Sequence, residues 1–384
     1  MKEKHGRKWS LKRILLTTFG ILLLLILVLA ICAMIYVHHM LNKINRVDPE
    51  MEYTLSSSEA EDFIYDDPEL VTKDPNSTET HVKLEDLTFP PSVTTPTEPD
   101  SENPTGGGSS GPVNNPMPPD IYGEHVVNIL LVGQDRRAGQ GRQRSDSMIL
   151  VSINKSDNTI TLTSFMRDQY VQIPGYYPNK LNAAYAFGGM RLLSKTLELN
   201  FGVKVDGIVE VDFSGFENII NLLGGVEITL TEPEAAYLNS LHEVGLLDSP
   251  VVVGLNRLNG GQALVYVGLR EIDTDYARAR RQRNVVMALI EAYKELPLDE
   301  MIGMMDQILP LATTNLTNAQ ILGYAAEFFP VLASAKVQTL RIPVDGTFVG
   351  GLVEVRPGFY GWFQYNINFE ANKKVLWEIF RDKG

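Results

Sequence analysis

The chain has 384 residues, with 34 Lys and Arg against 47 Asp and Glu and a formal net charge of -13. That balance argues against a nucleic-acid partner, because phosphate backbones select basic proteins. A single cysteine, Cys32, leaves no material for a disulfide framework or a cysteine-based zinc site. The total hides a partition, since residues 1–46 carry +7, residues 47–120 carry -15 and residues 121–384 carry -5.

Residues 1–13 form a basic tip that includes Lys2, Lys4, Arg7, Lys8, Lys12 and Arg13. Ile14–Val37 then runs for 24 residues without a charge. As a helix it would span roughly 36 Å, enough for a ~30 Å hydrocarbon core and too long for a cleaved signal peptide. The positive flank predicts a single-pass anchor with a cytoplasmic N-terminus and everything after Val37 outside the cell membrane. Residues 38–120 are rich in Asp, Glu, Ser, Thr, Pro and Gly and read as an acidic, extended linker that lifts the following domain off the membrane.

Residues 121–384 are long enough for one large domain. Val126–Val132 has a buried-strand pattern, and Met148–Ile153 with Thr159–Thr163 reads as a hairpin around Asn154–Asn158. Leu181–Phe187 and Met190–Leu199 read as helices, the second ended by Gly202. Gly207–Val211 is a strand, Phe213–Leu223 a helix stopped by Gly224 and Gly225, and Val226–Leu230 another strand. Helices over Gly261–Leu269, Asp275 to about Glu295 with Asp275 as N-cap, Asn318–Phe329 and Ala371–Arg381 follow, with a strand at Val337–Ile342. Strands alternating with helices predict an α/β fold, and the hairpin predicts a mixed central sheet with helices on both faces.

Arginines gather in two places. Arg136, Arg137, Arg142 and Arg144 lie together beside Asp135 and Asp146. Arg270, Arg278, Arg280, Arg281 and Arg283 lie beside Asp273 and Asp275, and Arg167 stands at a strand end. Arg278, Arg281 and Gln282 fall at i, i+3 and i+4, so they share a face near the start of the long helix, where the dipole favours an anion. Arginine forks grip phosphate oxygens in pairs, and interleaved carboxylates suit a divalent cation. Either cluster alone more often marks surface ion pairs; two clusters at strand ends and helix starts point to a phosphorylated ligand.

At these residues the sequence resembles the LytR-CpsA-Psr family of membrane-anchored bacterial cell-wall ligases. The resemblance covers roughly residues 125–345. It is carried by Asn128–Asp135, Arg144–Met148, Ser164–Asp168, Lys180–Asn182, Gly188-Gly189, Val211–Phe213, Leu223–Val226, Leu258–Leu264 and Asp275–Gln282. It implies transfer of a glycopolymer from an undecaprenyl-pyrophosphate carrier to peptidoglycan, with magnesium, outside the membrane of a Gram-positive-type bacterium. It further implies that Asp135 and Asp146 hold the metal and that Arg137, Arg144, Arg167, Arg270, Arg278 and Gln282 bind pyrophosphate. Arg167, Arg270, Arg278 and Asp275 are implied at the reaction itself, Asp275 as general base or as orienter of an arginine. Two departures stand out: Gly268 occupies the place of the first arginine of an Arg-x-Arg pair, and Ala277 that of a glycine. A non-catalytic binder or sensor of polyprenyl-pyrophosphate precursors, and a polyprenyl-pyrophosphate pyrophosphatase, stay open as alternatives. Leu192, Leu193, Leu197, Phe201, Ile219, Ile220, Leu222 and Val286 are available to line a lipid channel or simply to fill a core.

Overall fold

The computed structural model describes residues 33–48, 54–56, 59, 70–72, 82–89, 123–134 and 143–383. In chain order the elements are α1 (33–41), β1 (Asn45–Arg46), β2 (Val71–Thr72), β3 (Val82–Lys83), β4 (Val126–Gln134), β5 (Ser145–Asn154) and β6 (Thr159–Phe165). Next come β7 (Tyr170–Val171), β8 (Asn179–Lys180), α2 (Leu181–Phe201), β9 (Gly207–Asp212), α3 (Phe213–Leu222), β10 (Val226–Leu230), α4 (Glu232–Glu243), β11 (Gly254–Leu258) and α5 (Gly260–Gly268). The chain closes with α6 (Asp275–Lys294), α7 (Leu298–Ile308), β12 (Thr313–Thr314), α8 (Asn318–Ser334), β13 (Lys336–Ile342), β14 (Val349–Arg356), β15 (Phe359–Tyr365) and α9 (Phe369–Phe380).

The largest sheet has seven strands in the order β1-β12-β9-β4-β5-β6-β13. It is mixed: β4 pairs antiparallel with β5 and parallel with β9, and β6 pairs parallel with β13. The hairpin forms as expected, with Asn154 opposite Thr159 and Asn158 in the left-handed region at φ 54°. Alternation along the strands sends side chains to two layers. Leu130, Val132, Met148 and Leu150 pack with α2 and α9 on one face. Leu131, Ile149, Val151 and Ile153 face α6 and α8 on the other. Helices therefore cover both faces of a mixed α/β sheet. The two helices read around Gly188-Gly189 are one element, α2, kinked there, with Gly189 at φ 61° and Gly202 as a left-handed cap at φ 65°.

A second cluster joins the antiparallel β10–β11 pair to α3, α4, α5 and α6 through Ile220, Leu238, Tyr266 and Val285. A four-stranded sheet, β2-β15-β14-β3, lies at the C-terminal end. Its two outer strands come from the segment read as linker.

The linker expectation for 38–120 needs correction wherever that segment is described. Met40, Leu41 and Ile44 are buried with Leu309, β1 pairs with β12, and Val47, Leu55 and Phe89 pack against the main core. The reason is the scattering of large apolar residues through an otherwise acidic segment: each finds a place on the domain. Of the proposed anchor Ile14–Val37, residues 14–32 lie outside the described residues, and 33–37 belong to α1. No helix among the described residues is long and apolar enough to cross a membrane.

Candidate functional site

One end of the main sheet gathers the charged side chains. β5 begins there, so Asp146, its second residue, lies at that end; β6 ends there, so Arg167 follows it closely. The loop after α5 brings in Arg270, and α6 starts with Asp275. Arg167 Nη1 donates to Asp146 Oδ1 at 2.9 Å, and Arg270 Nη2 lies 3.5 Å from the same oxygen. Arg167 Nε lies 3.6 Å from both Asp275 Oδ2 and Asp168 Oδ2. Arg278 Nη2 contacts both Asp275 oxygens, at 2.8 and 2.9 Å. Burial, with Arg167 beside it, pulls the Arg278 guanidinium below its ordinary range.

Asp168 and Lys180 extend this network, with Lys180 Nζ 3.1 Å from Asp168 Oδ1, both nearly buried. Neither residue was given a role from sequence. The adjacent Arg167-Asp168 pair at a strand end was the available signal, since a buried Asp needs a cation.

Three residues of this network, Asp146, Arg270 and Arg278, also stand at the mouth of an open apolar cavity of about 490 Å³. Its floor is the sheet, with Leu131, Ile149, Val209 and Val211. Its walls are α3 (Phe213, Phe216, Ile219), α5 (Leu264, Val267) and α6 (Val286, Leu289). Asp146, Arg270, Arg278 and Gln282 supply its polar rim, and Gly268 lies on the rim as well. A Cβ added at Gly268 would meet nothing within 4 Å, so the departure from the family pattern leaves open space at the mouth. Of the apolar residues offered for a lipid channel, only Ile219 and Val286 line this cavity. Leu192, Leu193, Leu197 and Phe201 fill the core on the opposite face of the sheet, and Ile220 belongs to the second cluster. A 3.6-residue repeat shows that a helix has an apolar side, and leaves undetermined which layer that side meets.

Two local readings change. Asp275 is the first residue of α6, not its cap: Thr274 takes that position, its Oγ1 accepting from Ala277 N at 3.4 Å, and the Asp275 carboxylate is turned to Arg278. Arg281 shares a helical face with Arg278 by spacing, yet it does not reach the mouth. It is fully buried and clamps the loop that carries Arg270. Its guanidinium grips Asp273 twice, at 2.6 and 2.9 Å, donates to the Leu269 carbonyl at 2.5 Å, and reaches Glu234 of α4 at 3.4 Å.

Arg283 points elsewhere too, donating to Ser164 Oγ at 2.7 Å. Burial, with Arg341 and Arg280 nearby, brings its guanidinium down to about 10. Arg144 directly precedes β5. Asp135 and Arg137 lie outside the described residues. Of the two carboxylates expected to hold magnesium, the structure therefore places Asp146, whose contacts with Arg167 and Arg270 both fall on Oδ1. Hard oxygen donors of this kind suit magnesium.

The model of the LytR_cpsA_psr family matches residues 108–357. The chain is 34% identical over 266 residues to the polyisoprenyl-teichoic acid–peptidoglycan teichoic acid transferase TagT of Bacillus subtilis, covering 68% of this chain and 78% of that protein. It is 35% identical over 182 residues to the regulatory protein MsrR of Staphylococcus aureus, covering 47% of this chain and half of that protein. Among solved structures it resembles B. subtilis TagT bound to LIIa-WTA, at 28% identity, TM-score 0.54 and coverage of 68% and 92%. It also resembles TagT with bound octaprenyl pyrophosphate lipid, at 27% identity, TM-score 0.51 and coverage of 69% and 93%. With the matched region spanning all but the edge strand β1 of the sheet, together with the described arginine cluster and the cavity, this chain belongs to the LytR-CpsA-Psr family.

Proposed function

We propose that this chain is a membrane-anchored extracytoplasmic phosphotransferase that moves a glycopolymer from an undecaprenyl-pyrophosphate carrier to peptidoglycan through a phosphodiester bond. One observation carries the reading: a rim of arginines and an aspartate opens directly into an apolar cavity, so a single ligand with a phosphate head and a hydrocarbon tail meets both. Each tail methylene buried there contributes about 0.8 kcal/mol. The relatives named for teichoic acid transfer and the structure holding octaprenyl pyrophosphate support the same ligand class.

In this reading Arg167, Arg270 and Arg278, with Arg137 and Arg144, hold the pyrophosphate, and Gln282 donates to it from the rim. An acceptor hydroxyl of peptidoglycan attacks the sugar-proximal phosphorus. A new P–O bond forms as the hydroxyl gives up its proton, with Asp275 the candidate base at the site, the bond to the bridging oxygen breaks, and polyprenyl phosphate leaves with the charge that the arginines offset. Asp275 already accepts from Arg278 and lies beside Arg167, so its first task is to fix those two guanidiniums in place. Asp146, with Asp135, would hold magnesium, which when bound neutralises pyrophosphate oxygens.

The test is incubation of the purified full chain with lipid-linked glycan, peptidoglycan and magnesium. The expected result is a covalent glycan–peptidoglycan adduct that Asp146→Ala abolishes. Lipid binding equal in wild type and Asp146→Ala, with no adduct from either, would sink the transferase and leave a binder of wall precursors, the reading that the open rim at Gly268 favours. Polyprenyl phosphate released without peptidoglycan would identify a pyrophosphatase instead.

A further inference from the structure

We infer that α8, beside the exit of the N-terminal apolar segment, is a docking face for the lipid bilayer, so that the domain lies against the membrane. The inference rests on the proposed anchor and goes beyond it, because an anchor followed by a free linker would leave the domain's orientation undefined.

The first observation is how tightly the chain is fastened where it leaves the apolar run. The run ends at Val37, and Met40, three residues on, is already buried with Leu41 and Ile44 against Leu309, Met305 and Ile321. Lys43 Nζ pairs with Asp306 at 2.6 Å, and Asn45 Nδ2 donates to Pro310 O at 2.9 Å. Asn318 Nδ2 donates to Asn42 Oδ1 at 2.6 Å, and Arg46 donates to Leu316 O and Asn318 Oδ1. β1 then adds to the sheet edge at β12. Little slack is left between the anchor and the fold.

The second observation is the surface next to that point. α8 carries one charged residue in 17, Glu327, and Lys155 pairs with it. Yet Leu322, Ala325 and Ala326 are exposed, with Leu322 at 42%. Helices facing water carry a polar outer side, whereas Gln320, Glu327 and Ser334 share the exposed positions of α8 with Ala319, Leu322, Gly323, Ala325, Ala326 and Pro330. Ile321, one residue before Leu322, packs against the fastened segment. The mostly apolar outer side of α8 therefore begins where the chain enters the membrane, and the occupant at hand is the headgroup–acyl boundary. Met34 and Ile35 of α1 are more than 60% exposed in the same region, as lipid-facing residues would be.

The consequence concerns substrate capture. α3, one wall of the cavity, shares a crevice with the turn that holds the fastened segment, lined by Ser214, Gly215, Pro310, Leu311 and Asn45. The cavity wall is thus tied to the docked face, which would keep a lipid tail's path to the cavity short.

The experiment uses the full chain in phosphatidylcholine–phosphatidylglycerol vesicles, with the single native cysteine removed as Cys32→Ser. A polarity-sensitive fluorophore is placed on Met34→Cys, Leu322→Cys or Glu378→Cys; Glu378 lies on α9, across the sheet. Nitroxide-labelled lipids should quench the probes at 34 and 322 and leave the one at 378 bright. A probe at 34 in lipid with 322 in water would keep the anchor and overturn the docking face. Both in water would overturn the anchor itself. Shielding at 322 that lipid nitroxides do not quench, and that grows with protein density, would identify a second copy of the chain as the occupant and overturn the proposal.

Discussion

Arg281→Met removes a cation and nearly keeps the volume, so it isolates what the buried clamp contributes. In the folded chain Arg281 is fully buried and offers donors to three acceptors: Asp273, Glu234 and the Leu269 carbonyl. Glu234 is 5% exposed and Asp273 28% exposed, so neither carboxylate can turn fully to water when the guanidinium goes. Removing one partner of a buried ion pair costs about 3–5 kcal/mol, because the remaining charge stays desolvated. Here two carboxylates are left beside one another, which argues for the upper part of that range. Some relief comes at Asp273, which is the more exposed.

The assay is denaturant unfolding of wild type, Arg281→Met, Arg281→Lys and the double variant Arg281→Met/Glu234→Gln. Arg281→Lys should lose less, keeping a charge but giving up the two-pronged grip on Asp273. The double variant should recover part of the loss by removing the stranded charge. A second readout separates clamp from ballast: the loop from Leu269 to Asp273 carries Arg270, so polyprenyl-pyrophosphate affinity should fall in Arg281→Lys at temperatures where the fold is intact. An Arg281→Met loss below about 1 kcal/mol would refute the reasoning, since it would mean the buried pair nearly cancels against its own desolvation.

Two further outcomes follow from the same geometry. Gly268→Arg should fit, because the site around its Cβ is open, and it should tighten polyprenyl-pyrophosphate binding roughly tenfold or more, one charged hydrogen bond being worth ~1.5–3 kcal/mol; unchanged affinity in a ligand titration would show that phosphates do not sit on that rim. Burial holds the Asp206 carboxyl above its ordinary 3.8, even though Asn128 N donates to it. The folded state therefore binds the proton more tightly than the unfolded one, and the contribution is complete below 3.8 and fades as pH rises through the folded value. Relative to Asp206→Asn, wild-type stability should fall across that window, and a rise would show that the hydrogen bond outweighs burial.

The strands and helices around the site were legible because their patterns are local. Alternation marks β4 and the β5–β6 hairpin, and glycine pairs mark the kink in α2 and the end of α3. α4 was missed, although Thr231 and Glu234 form a capping box that sequence displays openly. The β14–β15 hairpin around Gly358 was missed too, its positive-φ glycine being the visible turn signal. The partners of Arg281 were beyond reach for a different reason. Helical spacing groups it with Arg278 and Gln282, but only the packing of α4 and the loop before α6 decides that one arginine enters the interior while its neighbour one turn away reaches the mouth. The docked parts of the linker failed for a statistical reason: composition averages over a segment, and a few apolar side chains such as Met40, Leu41 and Leu55 vanish in that average while each still finds a place on the fold.

Charge balance at the site, rather than over the chain, decides what it can hold. Among the described residues the network joins four cations, Arg167, Lys180, Arg270 and Arg278, to three carboxylates, Asp146, Asp168 and Asp275. These seven named side chains sum to a single positive charge, in partly buried surroundings where mutual attraction is stronger than in water. A pyrophosphate diester brings two negative charges, so these arginines alone do not neutralise it while they remain paired to their carboxylates. In the proposed reading the surplus would come from arginines of the 135–144 segment, from a divalent cation on Asp146, or from both. The absence of a guanidinium at Gly268 makes that need larger, not smaller. Under the proposed function, a protein of net charge -13 would keep these side chains close to neutral until a cation and a ligand arrived together.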